Sequence, residues 1–146
     1  DQVDVEYNYS KLQAKQKSKL NNSNSHYSIL PNSRDVFSFL AYVISGKASQ
    51  GVYNIDANGS PWLAKVQYKG VETVKNQLGK YPAKRYDISF SCLTEVPTPY
   101  VDMVTCNLVN QATKLSFWVS QNNLAVKAVV KKNAMSMSWD LIAVKP

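Results

Sequence analysis

A chain of 146 residues that is 45% hydrophobic and only 18% charged is long enough to bury about two-thirds of the surface its unfolded form exposes, and too apolar to remain disordered. Seventeen Lys and Arg against ten Asp and Glu give a formal net charge of +7, which favours anionic partners in general but is no more than a solvated surface requires. The most apolar stretch, Val36 to Ile44, is far short of the roughly 18 residues of a membrane helix, so a protein that does not span a membrane is expected.

The chain opens Asp1-Gln2-Val3-Asp4-Val5 without a methionine, which reads as an N-terminus trimmed by removal of an export signal or otherwise. Val3, Val5, Tyr7 and Tyr9 then alternate with polar residues, the period of a strand with one buried face. Lys11, Lys15, Lys17 and Lys19 share one parity and Leu12, Ala14 and Leu20 the other, predicting a strand with a basic face at a sheet edge, where lysine blocks unwanted pairing. From Asn21 to Asn32 the composition of Asn, Ser and Pro predicts a loop. A helix is expected over residues 33–45, with Ser33 as its cap, Asp35 near the positive end of its dipole, apolar residues at three-and-four spacing, and Gly46 as its stop.

Strands resume at Val52, Tyr53 and Ile55, and Asn58-Gly59 is a strong two-residue hairpin signal. Trp62, Ala64, Val66 and Tyr68 form one apolar face, followed by a short strand near Val71 to Lys75. Beyond a turn at Gln77 to Lys80, Tyr86, Ile88, Phe90 and Cys92 alternate with polar residues. Pro97 and Pro99 break the run, and a strand is expected from Val101 to Val109. Three more strands, Leu115 to Ser120, Leu124 to Lys132 and Met135 to Val144, suggest a meander whose last member carries a core stripe of Met135, Met137, Trp139, Leu141 and Ala143. The pattern as a whole is all-β and mainly antiparallel, a curved sheet or half-barrel of about eight to ten strands with one helix, in a single domain over residues 1–146.

The inventory for catalysis is thin. His26 is the sole histidine and sits in a polar stretch, so no Ser-His-Asp or Cys-His arrangement is indicated. One His and two distant Cys do not make a zinc site, the five glycines fall in no phosphate-loop motif, and no cofactor is expected. Asp35, Asp56, Glu72, Asp87, Asp102 and Asp140 are scattered singly, as carboxylates on solvent faces are. A hydrolase would need two of them in one cleft. Lys65, Lys69, Lys75, Lys80, Lys84 and Arg85 lie among tyrosines in a mixture resembling a nucleic-acid stacking groove, but Tyr68 and Tyr86 share the parity of the apolar face, so nucleic acid is not the expected partner. Cys92 and Cys106 are either a disulfide in an oxidising compartment or two thiols on buried strand faces.

From Arg34 onward the order of motifs resembles a bacterial exported-protein family catalogued as domain of unknown function 3108. The stretches that carry the resemblance are Arg34-Asp35-Val36-Phe37-Ser38-Phe39-Leu40, Val52-Tyr53-Asn54-Ile55-Asp56, Gly70-Val71-Glu72-Thr73-Val74, Leu78-Gly79-Lys80-Tyr81, and Leu115-Ser116-Phe117-Trp118-Val119-Ser120 with the hairpin after it. Ala125 and Asn133 depart from the family's usual Pro and Gly. The resemblance implies a periplasmic or otherwise exported protein, and a chain that is a C-terminal portion of a longer domain. Non-catalytic binding of a lipid or other amphipathic envelope component is the expected function. The candidate ligand-contacting residues are Phe37, Leu40, Trp62, Trp118 and Trp139, each of which also reads as core. The rival expectation is an interaction module that pairs with a partner protein, or with a second copy of itself, through exposed strand edges.

Overall fold

The computed structural model describes residues 3–19, 22–94 and 103–141, the side chains of Met103 and Cys106 excepted. In chain order the elements are β1 (Val3–Asn8), β2 (Gln13–Ser18), β3 (Ser23–Ser28), β4 (Arg34–Asp35), α1 (Val36–Ile44), β5 (Gly51–Ala57), β6 (Ser60–Asn76), β7 (Gly79–Cys92), α2 (Met103–Leu108), β8 (Thr113–Ser120), β9 (Ala125–Lys132) and β10 (Met135–Asp140). They build two sheets, a small one in the order β1-β2-β3 and a large one in the order β10-β9-β8-β7-β6-β5-β4. The large sheet is an open antiparallel meander rather than a closed barrel, with β4 added in parallel to β5.

The predicted basic strand is β2, and its parity is as expected: Ala14, Gln16 and Ser18 are buried while Lys15 and Lys17 are exposed. It is not an edge, however, because β1 and β3 flank it. The Asn21 to Asn32 loop contains β3, a strand made of Ser, Asn, His and Tyr that holds its extended form by pairing with β2 and not by apolar burial. The Val101 to Val109 strand is not formed; residues 103–108 are the helix α2, and residues 101 and 102 lie outside the description.

The helix α1 starts later than expected. Arg34 and Asp35 pair with Ile55 and Asp56, which keeps Asp35 extended, and its side chain accepts from the Ser38 amide at 2.9 Å. Asp35 therefore takes the capping place assigned to Ser33, whose buried hydroxyl has no partner among the described residues. Gly46 ends the helix at φ +72°, donating to the Val43 carbonyl. Val36, Phe39 and Val43 form the buried stripe, packed on the large sheet in one cluster with Val66, Ile88, Leu115 and Val130.

Those four residues are one cross-strand row, since Val66 pairs with Ile88, Ile88 with Leu115, and Leu115 with Val130. The row ends at Met137, the partner of Val130 on β10. Met135, Met137 and Trp139 were expected in the core and are 68%, 51% and 50% exposed. Their parity does place them on the core face. On the edge strand nothing among the described residues covers that face, and alternation reports which face a side chain takes, not whether the face is covered.

The two predicted strands on either side of Lys69 are one, the seventeen-residue β6. Tyr68 pairs with Tyr86 and Gly70 with Arg85, so Lys69 is an unpaired extra residue, and the bulge is made at Gly70 with φ +104°. One extra residue reverses the faces beyond it. Trp62, Ala64 and Val66 lie with the main core, whereas Val74 joins Ala83, Trp118 and Val126 in a second cluster on the opposite side. Glu72 reaches this opposite face in the same way, and Trp118 Nε1 donates to its Oε2 at 2.8 Å.

The neighbouring phenylalanines of α1 separate core from surface. Phe39 is fully buried and Phe37 is 61% exposed, so Phe39→Ala is expected to cost about 3–5 kcal/mol and Phe37→Ala no more than roughly 0.5 kcal/mol, as read by urea denaturation; equal costs would contradict this placement of α1.

Candidate functional site

The seam between the two sheets is held by one carboxylate. In β1 and β3 the residues facing the large sheet are set by strand parity: Val3, Val5 and Tyr7 share a face, Tyr7 pairs with Ala14, and Ala14 pairs with Tyr27. Both phenols therefore project from the same side of the small sheet. Each hydroxyl donates to Asp56 Oδ2 at the end of β5, at 2.8 Å. Asp56 is only 4% exposed, a correction to its expected place on a solvent face. Its other oxygen, Oδ1, is buried without a hydrogen-bond partner among the described residues, as is Oδ1 of Asn58.

The hairpin after β5 packs into the same seam. Asn58 and Gly59 have φ of +54° and +69°, the two-residue turn that the Asn-Gly pair predicts. A Cβ on Gly59 would lie 2.9 Å from Gln16 Oε1, so glycine here permits both the positive φ and the approach of the turn to β2.

An open cavity of about 530 Å³ lies over this junction, within the usual size range of small-molecule sites. Val3, Val5, Val36, Phe37 and Ala57 form an apolar wall; Tyr7, Tyr27, Asp35, Asp56 and Asn58 give the polar floor. Burial drives the Asp56 carboxyl above the ordinary range, against the lowering effect of the two phenol hydrogen bonds. Burial also raises both phenols well beyond the usual tyrosine range, and the adjoining Asp56 adds to it. Two carboxylates do share this cavity, Asp35 and Asp56. They are register partners on adjacent parallel strands, side by side on one floor, where a glycosidase needs its pair on either side of the bond to be cut.

Of the five predicted contact residues, Phe37 alone lines the cavity. Leu40 and Trp62 are half-buried against the main core, and the Trp62 Nε1 is buried without a partner among the described residues. Trp118 belongs to the second cluster on the far face of the large sheet, and Trp139 stands exposed on β10. The aromatic set does not converge. Cys92 is a free thiol with Thr94 O at 3.3 Å; the side chain of Cys106, its proposed bridge partner, lies outside the described residues. Among the described residues no group of three or more His, Cys, Asp and Glu is placed to hold a metal.

Tyr7, Tyr27 and Asp56 were not recognised from sequence as a group. The available signal was local: a carboxylate between Ile55 and Ala57, immediately before a tight turn, sits where the chain is buried on both sides. Nothing in the sequence said that two phenols some thirty and fifty positions upstream would meet it.

Far across the large sheet, Trp118 is the centre of a second polar arrangement. Arg85 bonds Asp87 through Nε at 2.9 Å and Nη2 at 3.2 Å, and Glu72 through Nη1 at 3.2 Å. The guanidinium and the Lys127 ammonium sit over the indole at 5.1 and 5.6 Å. The Trp118 hydrogen bond holds the Glu72 carboxyl below its ordinary value, with Arg85 adding to it. For Asp87, burial pushes upward and the Arg85 and Ser116 hydrogen bonds outweigh it. Glu72 is largely exposed and Arg85 partly so, so this arrangement orders the surface more than it stabilises the fold.

A carboxyl raised on folding favours the folded state most below its unfolded pKa of about 3.9, and that contribution is lost as pH rises through the folded value. Wild-type stability relative to Asp56→Asn is therefore expected to fall as pH rises above about 4, measured by urea unfolding of both proteins from that pH upward; parallel pH profiles would show that Asp56 keeps an unperturbed carboxyl.

Compared with protein-family models, with curated proteins and with solved structures, the chain matches none.

Proposed function

We propose that this is a non-catalytic binding protein of the bacterial envelope that takes an amphipathic molecule, lipid-like or smaller, into the cavity between its two sheets. The observation that carries the reading is the make-up of that cavity: about 530 Å³ with Val3, Val5, Val36 and Phe37 on one side and a buried, incompletely bonded carboxylate on the other. Such a space suits a molecule with an apolar body and a polar end, because the walls gain by shedding water and the floor gains by finding partners. The exported setting belongs to the proposal through the motif resemblance of α1 and the Trp118 strand.

A second reading has its own support. All six residues of β10 are exposed, one long side of that strand has no partner strand among the described residues, and Met135, Met137 and Trp139 stand along its core face. A strand of a partner protein added there would complete the sheet and cover those side chains.

The two readings separate in one titration with a neutral solvatochromic dye such as Nile red. Phe37→Ser is expected to weaken dye binding roughly tenfold, the effect of losing a buried aromatic contact, and Met137→Ser to leave it unchanged. The opposite pattern would move the binding surface to β10.

A further inference from the structure

We propose that the head group recognised in the seam cavity is a protonated primary amine, so that the ligand is an organic cation with an apolar tail. This rests on the cavity being a binding site, as proposed above. Among the described residues two carboxylates, Asp35 and Asp56, line the cavity and no Lys or Arg does. In a protein of net charge +7 the pocket is thus a local reversal of sign.

Hydrogen-bond accounting on the floor points the same way. The Tyr7 and Tyr27 hydroxyls, the donors closest to Asp56, both spend their protons on its Oδ2. Oδ1 of Asp56 and Oδ1 of Asn58 are left as buried acceptors with no donor among the described residues. A carboxylate or phosphate head would set further acceptors against these two and a like charge against Asp56. An ammonium brings three donors and no acceptor, and a charge that a buried carboxylate compensates. A bare metal ion is a poorer fit, because no cluster of three or more ligating side chains surrounds the site among the described residues and the wall beside it is Val3, Val5, Val36 and Phe37.

The test is calorimetric titration of the full chain with four probes of one tail length: n-octylammonium, n-octyltrimethylammonium, n-octanol and n-octanoate. Octylammonium is expected to bind at least about tenfold more tightly than the other three, the effect of one charge-assisted hydrogen bond. Asn58→Gly, which keeps the positive φ and loses one acceptor, is expected to reduce that preference several-fold, and Asp56→Asn to abolish it. Equal affinity for all four probes, or octyltrimethylammonium matching octylammonium, would overturn recognition of an N–H-bearing head while leaving the cavity as an apolar site. Tightest binding of octanoate would overturn the sign of the pocket. No binding of any probe would remove this inference together with the functional reading beneath it.

Discussion

The structure turns on one buried carboxylate accepting from two phenols. The β1–β3 sheet has little with which to hold itself against the rest of the chain: the buried residues of β2 are Ala14, Gln16 and Ser18, too small and too polar to drive docking by apolar area. What it presents instead is Tyr7 and Tyr27 on one face, and Asp56 takes both. Hydrogen bonds to a charged group contribute roughly 1.5–3 kcal/mol each, and a buried carboxylate deprived of them costs more. Burial opposes this, as the raised Asp56 carboxyl records. The same desolvation that makes the joint costly leaves one of its oxygens without a partner, and the cavity opens over that oxygen's residue. On the proposed reading, docking and binding are two uses of one group.

The large sheet is organised by a different constraint. The helix α1 and the α2 segment, through Leu108 and Val109, cover the core face over part of the seven strands, while Met135, Met137 and Trp139 on β10 stay exposed. The Lys69 bulge adds a second packing layer by turning the end of β6 over, so that Val74 and Glu72 meet Trp118 on the opposite side. Without the extra residue, Glu72 would point toward the face of Val66 and Tyr68, and the Trp118 indole N–H would need another acceptor. The Gly70-Val71-Glu72 and Trp118 stretches, read from sequence as separate motifs, are in this way ends of one contact.

Strand positions were legible because alternation is local: Tyr86, Ile88 and Phe90 are buried at the parity the sequence predicts, and the Asn58-Gly59 turn has the positive φ angles that this pair favours. Three features were not legible. The strand β3 carries almost no apolar signal and exists because β2 offers it a ladder. The α2 segment contains β-branched Val104 and Thr105, which read as strand by propensity, and is nevertheless helical. The exposure of Met135, Met137 and Trp139 depends on sheet order, a property of the whole chain. The candidate site suffered most, since its three principal residues come from β1, β3 and β5 and are united only by the meeting of two sheets.

The central claim is that the two phenols acting on Asp56 hold the small sheet in place. Amide hydrogen exchange on wild type and on the double variant Tyr7→Phe/Tyr27→Phe tests it most directly, because exchange resolves local opening from global unfolding. The account predicts that protection in β1–β3 collapses in the variant while that in β6–β8 is retained. Unchanged protection in β1–β3, or a uniform loss across both sheets, would contradict it.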